Sequence, residues 1–328
     1  MAEMDFLANI RKKASARNKS ILLPESHDDR VLQAAEFLTK EKIAKVTIIG
    51  KEAKIAESAE RLNVNLDSVQ IVDQEKSDKL NEYGKIFYEM RKARGKEIPL
   101  EKAVETIKRD IFFGAMMVKE GLVDGAVSGS TATTADVMRA GIQVIGMPAG
   151  ISIVSSYFLM VFPGKVYTFA DCGLNPNPDA KQLSDIAIST SENHKKLTGE
   201  EPLIAMLSFS TKGSAEHESI DKVREATKLV KEKRPDLKVD GELQFDAAIV
   251  ESVGKKKAPG SEVAGKANVL IFPDLNSGNL GYKIAERLGK AQAIGPLNQG
   301  LSKPFFDLSR GCSFMDIVNA AAIAILMA

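Results

Sequence analysis

Cysteine is nearly absent from this chain of 328 residues: only Cys172 and Cys312 occur, far apart in sequence. Two thiols cannot build a disulfide framework, and with the three histidines (His27, His194, His217) they match no structural zinc spacing. Reduced thiols in a reducing compartment are the reading. An excess of charge is missing too. Lys and Arg total 45 against 44 Asp and Glu, a formal net charge of +1. Nothing in that balance draws the chain to nucleic acid or to an anionic membrane, so a phosphate-bearing ligand needs a local cluster of positive groups. Long apolar runs are lacking as well. The most apolar stretch, 149–162, is too short and too rich in Gly and Ser to span a bilayer. Residues 1–20 carry Arg11, Lys12, Lys13 and Arg17 with no apolar segment after them, so no secretory signal is read. A soluble, cytoplasmic protein is expected. There is no G-x-G-x-x-G fingerprint, no G-x-S-x-G elbow, no internal repeat and no low-complexity tract, which removes the usual dinucleotide site and the usual hydrolase nucleophile.

What is present is a substantial apolar content, 44%, on a chain long enough for two α/β domains or one unusually large one. Short β-branched runs alternate with longer amphipathic segments. Strands are expected at 20–24, 45–50, 70–72 and 125–128, and helices at 28–40, 77–93, 100–119 and from about 134. The pattern breaks at Gly146-Met147-Pro148-Ala149-Gly150. Two strands, 151–162 and 166–170, then flank the hairpin signal Pro163-Gly164. Helix 179–194, strand 203–209, helix 218–233, strand 269–272, helix 280–290, strand 291–294 and a last helix, 314–327, complete the reading. The rhythm predicts an α/β fold with mostly parallel, doubly wound sheets and a second domain starting near Pro148. Periodicity leaves open which domain receives the last helix.

In parallel sheets, ligands gather where strands end and helices begin. Three loops there have suitable chemistry: 128–134 (Ser-Gly-Ser-Thr-Ala-Thr-Thr), 208–214 (Ser-Phe-Ser-Thr-Lys-Gly-Ser) and 273–279 (Pro-Asp-Leu-Asn-Ser-Gly-Asn). The same residue types also serve as ordinary caps and turns, and only the three together favour a phosphorylated ligand. Residues 260–267 nearly spell a nucleotide P-loop. Ala267 stands where a magnesium-binding hydroxyl belongs, however, and the segment precedes a strand instead of following one. Near the end, Ser309-Arg310-Gly311-Cys312-Ser313-Phe314-Met315-Asp316 gathers a hydroxyl, a guanidinium, a thiol and a carboxylate around one helix start. Arg310 suits a phosphate. Ser313 and Asp316 equally suit a capping box that merely starts the last helix. Cys312 has no histidine or second thiol nearby in sequence to activate it.

Taken together, several segments resemble the phosphate acetyltransferase (phosphotransacetylase) family. They are Leu23-Pro24-Glu25 with Asp28, Asp29 and Arg30; residues 87–91; Asp124-Gly125-Ala126-Val127-Ser128-Gly129; Arg139; residues 207–214; residues 240–248; residues 268–276; and Asp307-Leu308-Ser309-Arg310-Gly311. The match runs nearly end to end. It implies reversible acyl transfer between acetyl phosphate and coenzyme A in a ternary complex, with no metal and no cofactor beyond the substrates. It also implies two αβα domains with a cleft between them, an architecture similar to isocitrate and isopropylmalate dehydrogenases. Domain I would be 1–147 plus 301–328 and domain II the inserted 148–300. A homodimer, with acetate kinase as pathway neighbour, is implied as well. By position, Asp316 would take the thiol proton, Arg310 would bind the phosphoryl group, and Ser309 would hydrogen-bond the oxyanion. Arg91 and Arg139 would bind coenzyme A. Ser128, Gly129, Ser130 and Thr131 would line the acyl phosphate pocket, with Asn276 and Lys283 facing it. The chain has Ala132 where the family often carries His, and Ala140 where Pro commonly follows the arginine.

Three other readings stand beside this one. A phosphate butyryltransferase would use the same chemistry with a roomier pocket. A metal-dependent decarboxylating dehydrogenase would need Asp240, Glu242, Asp246 and Asp274 to converge. A non-catalytic acyl-CoA sensor would bind without turnover.

Overall fold

In the computed structural model, which describes residues 6–328, the chain opens with α1 (Phe6–Ser15), a helix that buries Leu7, Ile10 and Ala14 along one stripe. The sequence reading assigns no element to this charged segment, which is helical. β1 (Ser20–Leu23) follows, then α2 (Asp29–Lys40), started by Asp28, whose carboxylate accepts from the N–H of Arg30. Next come β2 (Lys45–Ile49), α3 (Glu52–Leu62), β3 (Val69–Val72) and α4 (Lys79–Ala93). α3 has no counterpart in the sequence reading, because only Ile55 of its side chains is buried and its apolar stripe is faint.

The single helix expected over 100–119 is two, α5 (Leu100–Ile107) and α6 (Asp110–Lys119), separated where Arg109 adopts an extended conformation. The reason lies in their faces. α5 buries one side only (Ala103, Ile107), whereas α6 buries Ile111 through Val118 almost all round. A straight continuation would leave half of those apolar side chains in water. β4 (Gly125–Ser128) is wholly buried, and α7 (Thr134–Ala140), capped by Thr133, runs into a π-helical turn at Gly141–Ile145.

Beyond Met147 the chain builds a second sheet. β5 (Ser155–Phe162) and β6 (Lys165–Ala170) form the expected antiparallel hairpin, turned at Gly164 with φ +75°. α8 (Ala180–Thr198) begins with a capping box of Asp179 and Gln182. β7 (Leu203–Leu207), α9 (Glu218–Lys233), β8 (Lys238–Leu243), α10 (Phe245–Ile249), α11 (Glu251–Lys257), β9 (Val269–Ile271), α12 (Leu275–Arg287) and β10 (Gln292–Gln299) follow. α12 starts five residues before the expected helix because Asp274 caps it, and β10 runs on to Gln299. The order is β10-β5-β6-β9-β7-β8. β6, β9, β7 and β8 are parallel, and β5 and β10 form an antiparallel flank.

β11 (Phe305–Asp307) and α13 (Phe314–Met327) then join the first sheet. That sheet has the order β11-β4-β1-β2-β3 and is parallel throughout. α13 packs on α1, α2, β4 and β1 with Ile317–Ile325 buried, which settles where the last helix belongs. The chain divides into two compact units, one running to Gly146 and resuming at Leu301–Ala328, the other Met147–Gly300. In the first unit the strand order reverses direction between β1 and β4. Loops leaving the carboxyl ends diverge at such a switch point and leave room for a ligand. Among the described residues, no helix is long and apolar enough to cross a membrane.

Candidate active site

At that switch point the loop after β4 is wrapped around a carboxylate. Glu25, two residues past the end of β1, is buried. Its Oε2 accepts from the N–H groups of Gly129 (2.6 Å) and Ser130 (3.0 Å) and from the hydroxyls of Ser128 and Ser130. Its Oε1 accepts from the N–H groups of Thr131 (2.9 Å) and Ala132 (2.7 Å) and from the Thr131 hydroxyl (2.6 Å). Burial alone would raise this carboxyl, but the bonds from Thr131, Ala132 and Ser128 outweigh it and hold Glu25 below the usual range. The donors that made 128–134 look like a phosphate cradle are thus turned on an internal anion.

Arg30 ties together the chain segments after β1, β4 and β11. Its guanidinium grips Asp28 through Nε and Nη2 (3.0 and 2.6 Å). It also donates to the carbonyls of Ser130 (2.8 Å), Arg310 (2.9 Å) and Cys312 (2.7 Å). Only a planar fork with several donors reaches that many acceptors at once. The loop after β4 and the segment after β11 are thereby fixed to one another, bringing Ser128, Gly129, Ser130 and Thr131 beside the backbone of Arg310. The N–H of Leu308 adds a bond to the Ser128 carbonyl (2.8 Å).

The side chains of Ser309, Arg310 and Asp316 are exposed. Asp316 closes a capping box: its Oδ2 accepts from the N–H (2.8 Å) and hydroxyl (2.9 Å) of Ser313, and its N–H donates to Ser313 Oγ (3.2 Å). Among the described residues, Oδ1 has no hydrogen-bond donor. Capping and proton transfer are therefore compatible in this carboxylate, one oxygen for each. Cys312 is buried, and burial pushes its thiol up despite Arg30, so it is not an activated nucleophile.

Arg91 lies on α4 and Arg139 on α7. Arg139 donates to Asp136 (2.8 Å), which also receives Arg109 (3.1 Å). Asn276 and Lys283 belong to α12 of the other unit, both exposed. The remaining loops of that unit are committed internally. Glu242 receives Arg224 (3.0 and 3.1 Å), the N–H of Gly213 (2.8 Å) and the Ser210 hydroxyl (3.0 Å). Burial opposes ionisation there, yet these bonds pull Glu242 down to about 2. Asp240 pairs with Lys212 and Ser261, Asp246 with Lys257, and Asp274 caps α12. Each of the four carboxylates has its own partner, and no metal-binding cluster of three or more forms among the described residues. The near-P-loop at 260–267 is a turn leading into β9, with Gly260 and Gly265 at positive φ.

Residue-type reasoning assigned no role to Glu25, Arg30 or Asp307. Asp307 ends β11 in register with Ser128 and is 4% exposed. Burial raises its carboxyl to about 6, helped by the charge of Glu25 and opposed by a bond from Thr134. His27 bonds Thr131 Oγ1 (2.9 Å) and lies 4.0 Å from Asp110, a carboxyl also raised by burial. A sequence signal existed for all three, within the Pro24-Glu25, Asp29-Arg30 and Asp307-Leu308 segments, but Asp28 aside, the partners of Glu25 and Arg30 lie about a hundred or more positions away.

Comparison with known proteins bears on this geometry. The sequence model of the family described as "Phosphate acetyl/butaryl transferase" matches residues 5–325. A relative from Thermoanaerobacterium thermosaccharolyticum named phosphate acetyltransferase is 50% identical over 331 residues, covering 99% of this chain and 100% of that protein. Among solved structures, a phosphotransacetylase from Streptococcus pyogenes is similar at TM-score 0.94 and 42% identity, over 99% of this chain and 98% of that one. The EutD phosphotransacetylase from Staphylococcus aureus is similar at TM-score 0.92 and 40% identity, over 98% of each chain.

Proposed function

Because this chain belongs to the phosphate acetyl/butaryl transferase family, we propose that it is a phosphate acetyltransferase, moving an acetyl group reversibly between acetyl phosphate and coenzyme A. The observation that carries this reading is the end-to-end identity with a relative of that name, which spans both units and the segments after β1, β4 and β11.

In the forward step the coenzyme A sulfur bonds to the acyl carbon, and the bond from that carbon to the phosphate oxygen breaks. The electron pair leaves with phosphate, and the thiol proton passes to Asp316. Its Oδ1 accepts no hydrogen bond among the described residues, which supports that assignment. Reference values put the thiol near ~8.5 and an aspartate near ~3.9, so complete prior transfer would cost about 6 kcal/mol. Transfer concerted with attack avoids that cost. Arg310, with its backbone pinned by Arg30, binds the phosphoryl group, and Ser309 donates to the oxyanion. Residues 128–131 supply a rigid wall to the acyl phosphate pocket, since their donors are engaged by Glu25. Arg91 and Arg139 hold coenzyme A, and Asn276 and Lys283 serve as anion-binding groups of the second unit. No cofactor is assigned. The protein works as a cytoplasmic homodimer, with acetate kinase sharing its acetyl phosphate. The test is thioester formation from coenzyme A without added metal. Acetyl phosphate should support faster turnover than butyryl phosphate. The reverse order makes the protein a butyryltransferase, and binding without turnover makes it a sensor.

A further inference from the structure

Gly129 lies between two carboxylates. On one side its N–H donates to Glu25. On the other, a Cβ added to it would collide with Asp307 Oδ1 and come within 2.6 Å of the Leu308 nitrogen. Its φ of +93° is one that glycine alone adopts readily. Asp307 therefore packs directly against the loop that walls the acyl phosphate pocket.

The two carboxylates are provisioned unequally. Glu25 accepts from four backbone N–H groups and three hydroxyls, while Asp307 is bonded by Thr134 and, among the described residues, its buried Oδ1 has no hydrogen-bond partner. Two buried negative charges across one glycine repel, and the charge settles on the better-provisioned group. Other charged groups are accounted for. On α7, Asp136 is neutralised by Arg109 and Arg139, and on α13 Asp316 is held in its cap. β4 carries no titratable side chain, and His27 with Asp110 reaches the loop from the Thr131 side.

We propose that Asp307 is a positioning residue of the acyl phosphate pocket: in its neutral form it admits the phosphoryl anion, and in its ionised form it weakens that binding. The proposal rests on the acyl phosphate reading of loop 128–131. Its working range is set by burial, which places the carboxyl at about 6. The sign follows directly. As pH rises through that value, Asp307 gains a negative charge behind the loop, and the KM for acetyl phosphate rises.

The experiment measures KM for acetyl phosphate and for coenzyme A from pH 5 to pH 8 in wild type, Asp307→Asn and Thr134→Val. Taking the ratio of variant to wild type at each pH cancels the titration of the substrate itself. For Asp307→Asn the acetyl phosphate ratio should fall by about tenfold across the range, the factor that one unit of pKa coupling represents. The coenzyme A ratio should stay level. Thr134→Val removes a bond to the ionised form, so the wild-type inflection should move to higher pH, which tests the idea even if Asp307→Asn fails to fold. A level acetyl phosphate ratio, or an inflection that survives in Asp307→Asn, overturns the proposal. Binding of inorganic phosphate by calorimetry gives the same ratio without turnover. An inactive wild type with the expected phosphate ratio would sink the acetyltransferase reading and leave this one standing.

Discussion

The two sheets hold their Ser- and Gly-rich strand-end loops by the same device, a buried glutamate, and charge it differently. In the second unit Glu242 is met by the Arg224 fork, and its charge is cancelled where it lies. In the first unit no cationic side chain among the described residues hydrogen-bonds Glu25, which is held by N–H and hydroxyl dipoles alone. Dipoles stabilise an anion without neutralising it. Both glutamates are held below the usual carboxylate range, Glu242 at about 2, while Asp307 beside Glu25 is pushed up to about 6, chiefly by its burial and to a lesser degree by the Glu25 charge. A loop built on dipoles keeps its field, and a loop built on an ion pair extinguishes it. The first arrangement belongs beside a site that must discriminate among anions. The second belongs to a turn that only needs to stay closed.

Stability should break this comparison most visibly. Glu25→Ala strands four N–H groups and three hydroxyls, several of them buried, and should cost about 3–5 kcal/mol in urea unfolding. Glu242→Ala leaves Arg224 partly exposed and able to turn to water, so its cost should be smaller, about 1–3 kcal/mol. Equal losses would mean that the two loops are held alike. A finer probe is Arg30→Lys. An ammonium cannot serve Asp28, Ser130, Arg310 and Cys312 together, so kcat/KM should drop about tenfold or more while the melting temperature moves by only a few degrees. Unchanged turnover would show that the register of the loops after β4 and β11 does not depend on the fork.

Much of this was legible in the sequence, and the failures have physical reasons. The alternation of strands with amphipathic helices gave the α/β class, and Pro163-Gly164 gave the hairpin. Ser313 with Asp316 announced the cap of α13. α1 and α3 escaped because few of their side chains are buried. β11 escaped because three residues carry no period. β8 places Asp240 and Glu242 among its buried positions, which no alternation rule anticipates without Lys212 and Arg224. The grip of Glu25 on residues more than a hundred positions away is a product of sheet order, β1 beside β4, and composition is silent on it.

The central claim, that the segment after β11 performs acyl transfer, meets its most direct test in one assay of thioester formation. Wild type, Asp316→Asn and Ser313→Ala should be compared, each shown to be folded at the assay temperature. Both substitutions weaken the cap, by about 1 kcal/mol. Only the first removes the carboxylate. Asp316→Asn should lose about a hundredfold or more in turnover while Ser313→Ala stays within a few-fold of wild type. Equal, mild losses in both would contradict the account, leaving Asp316 as a helix cap and the proton acceptor elsewhere.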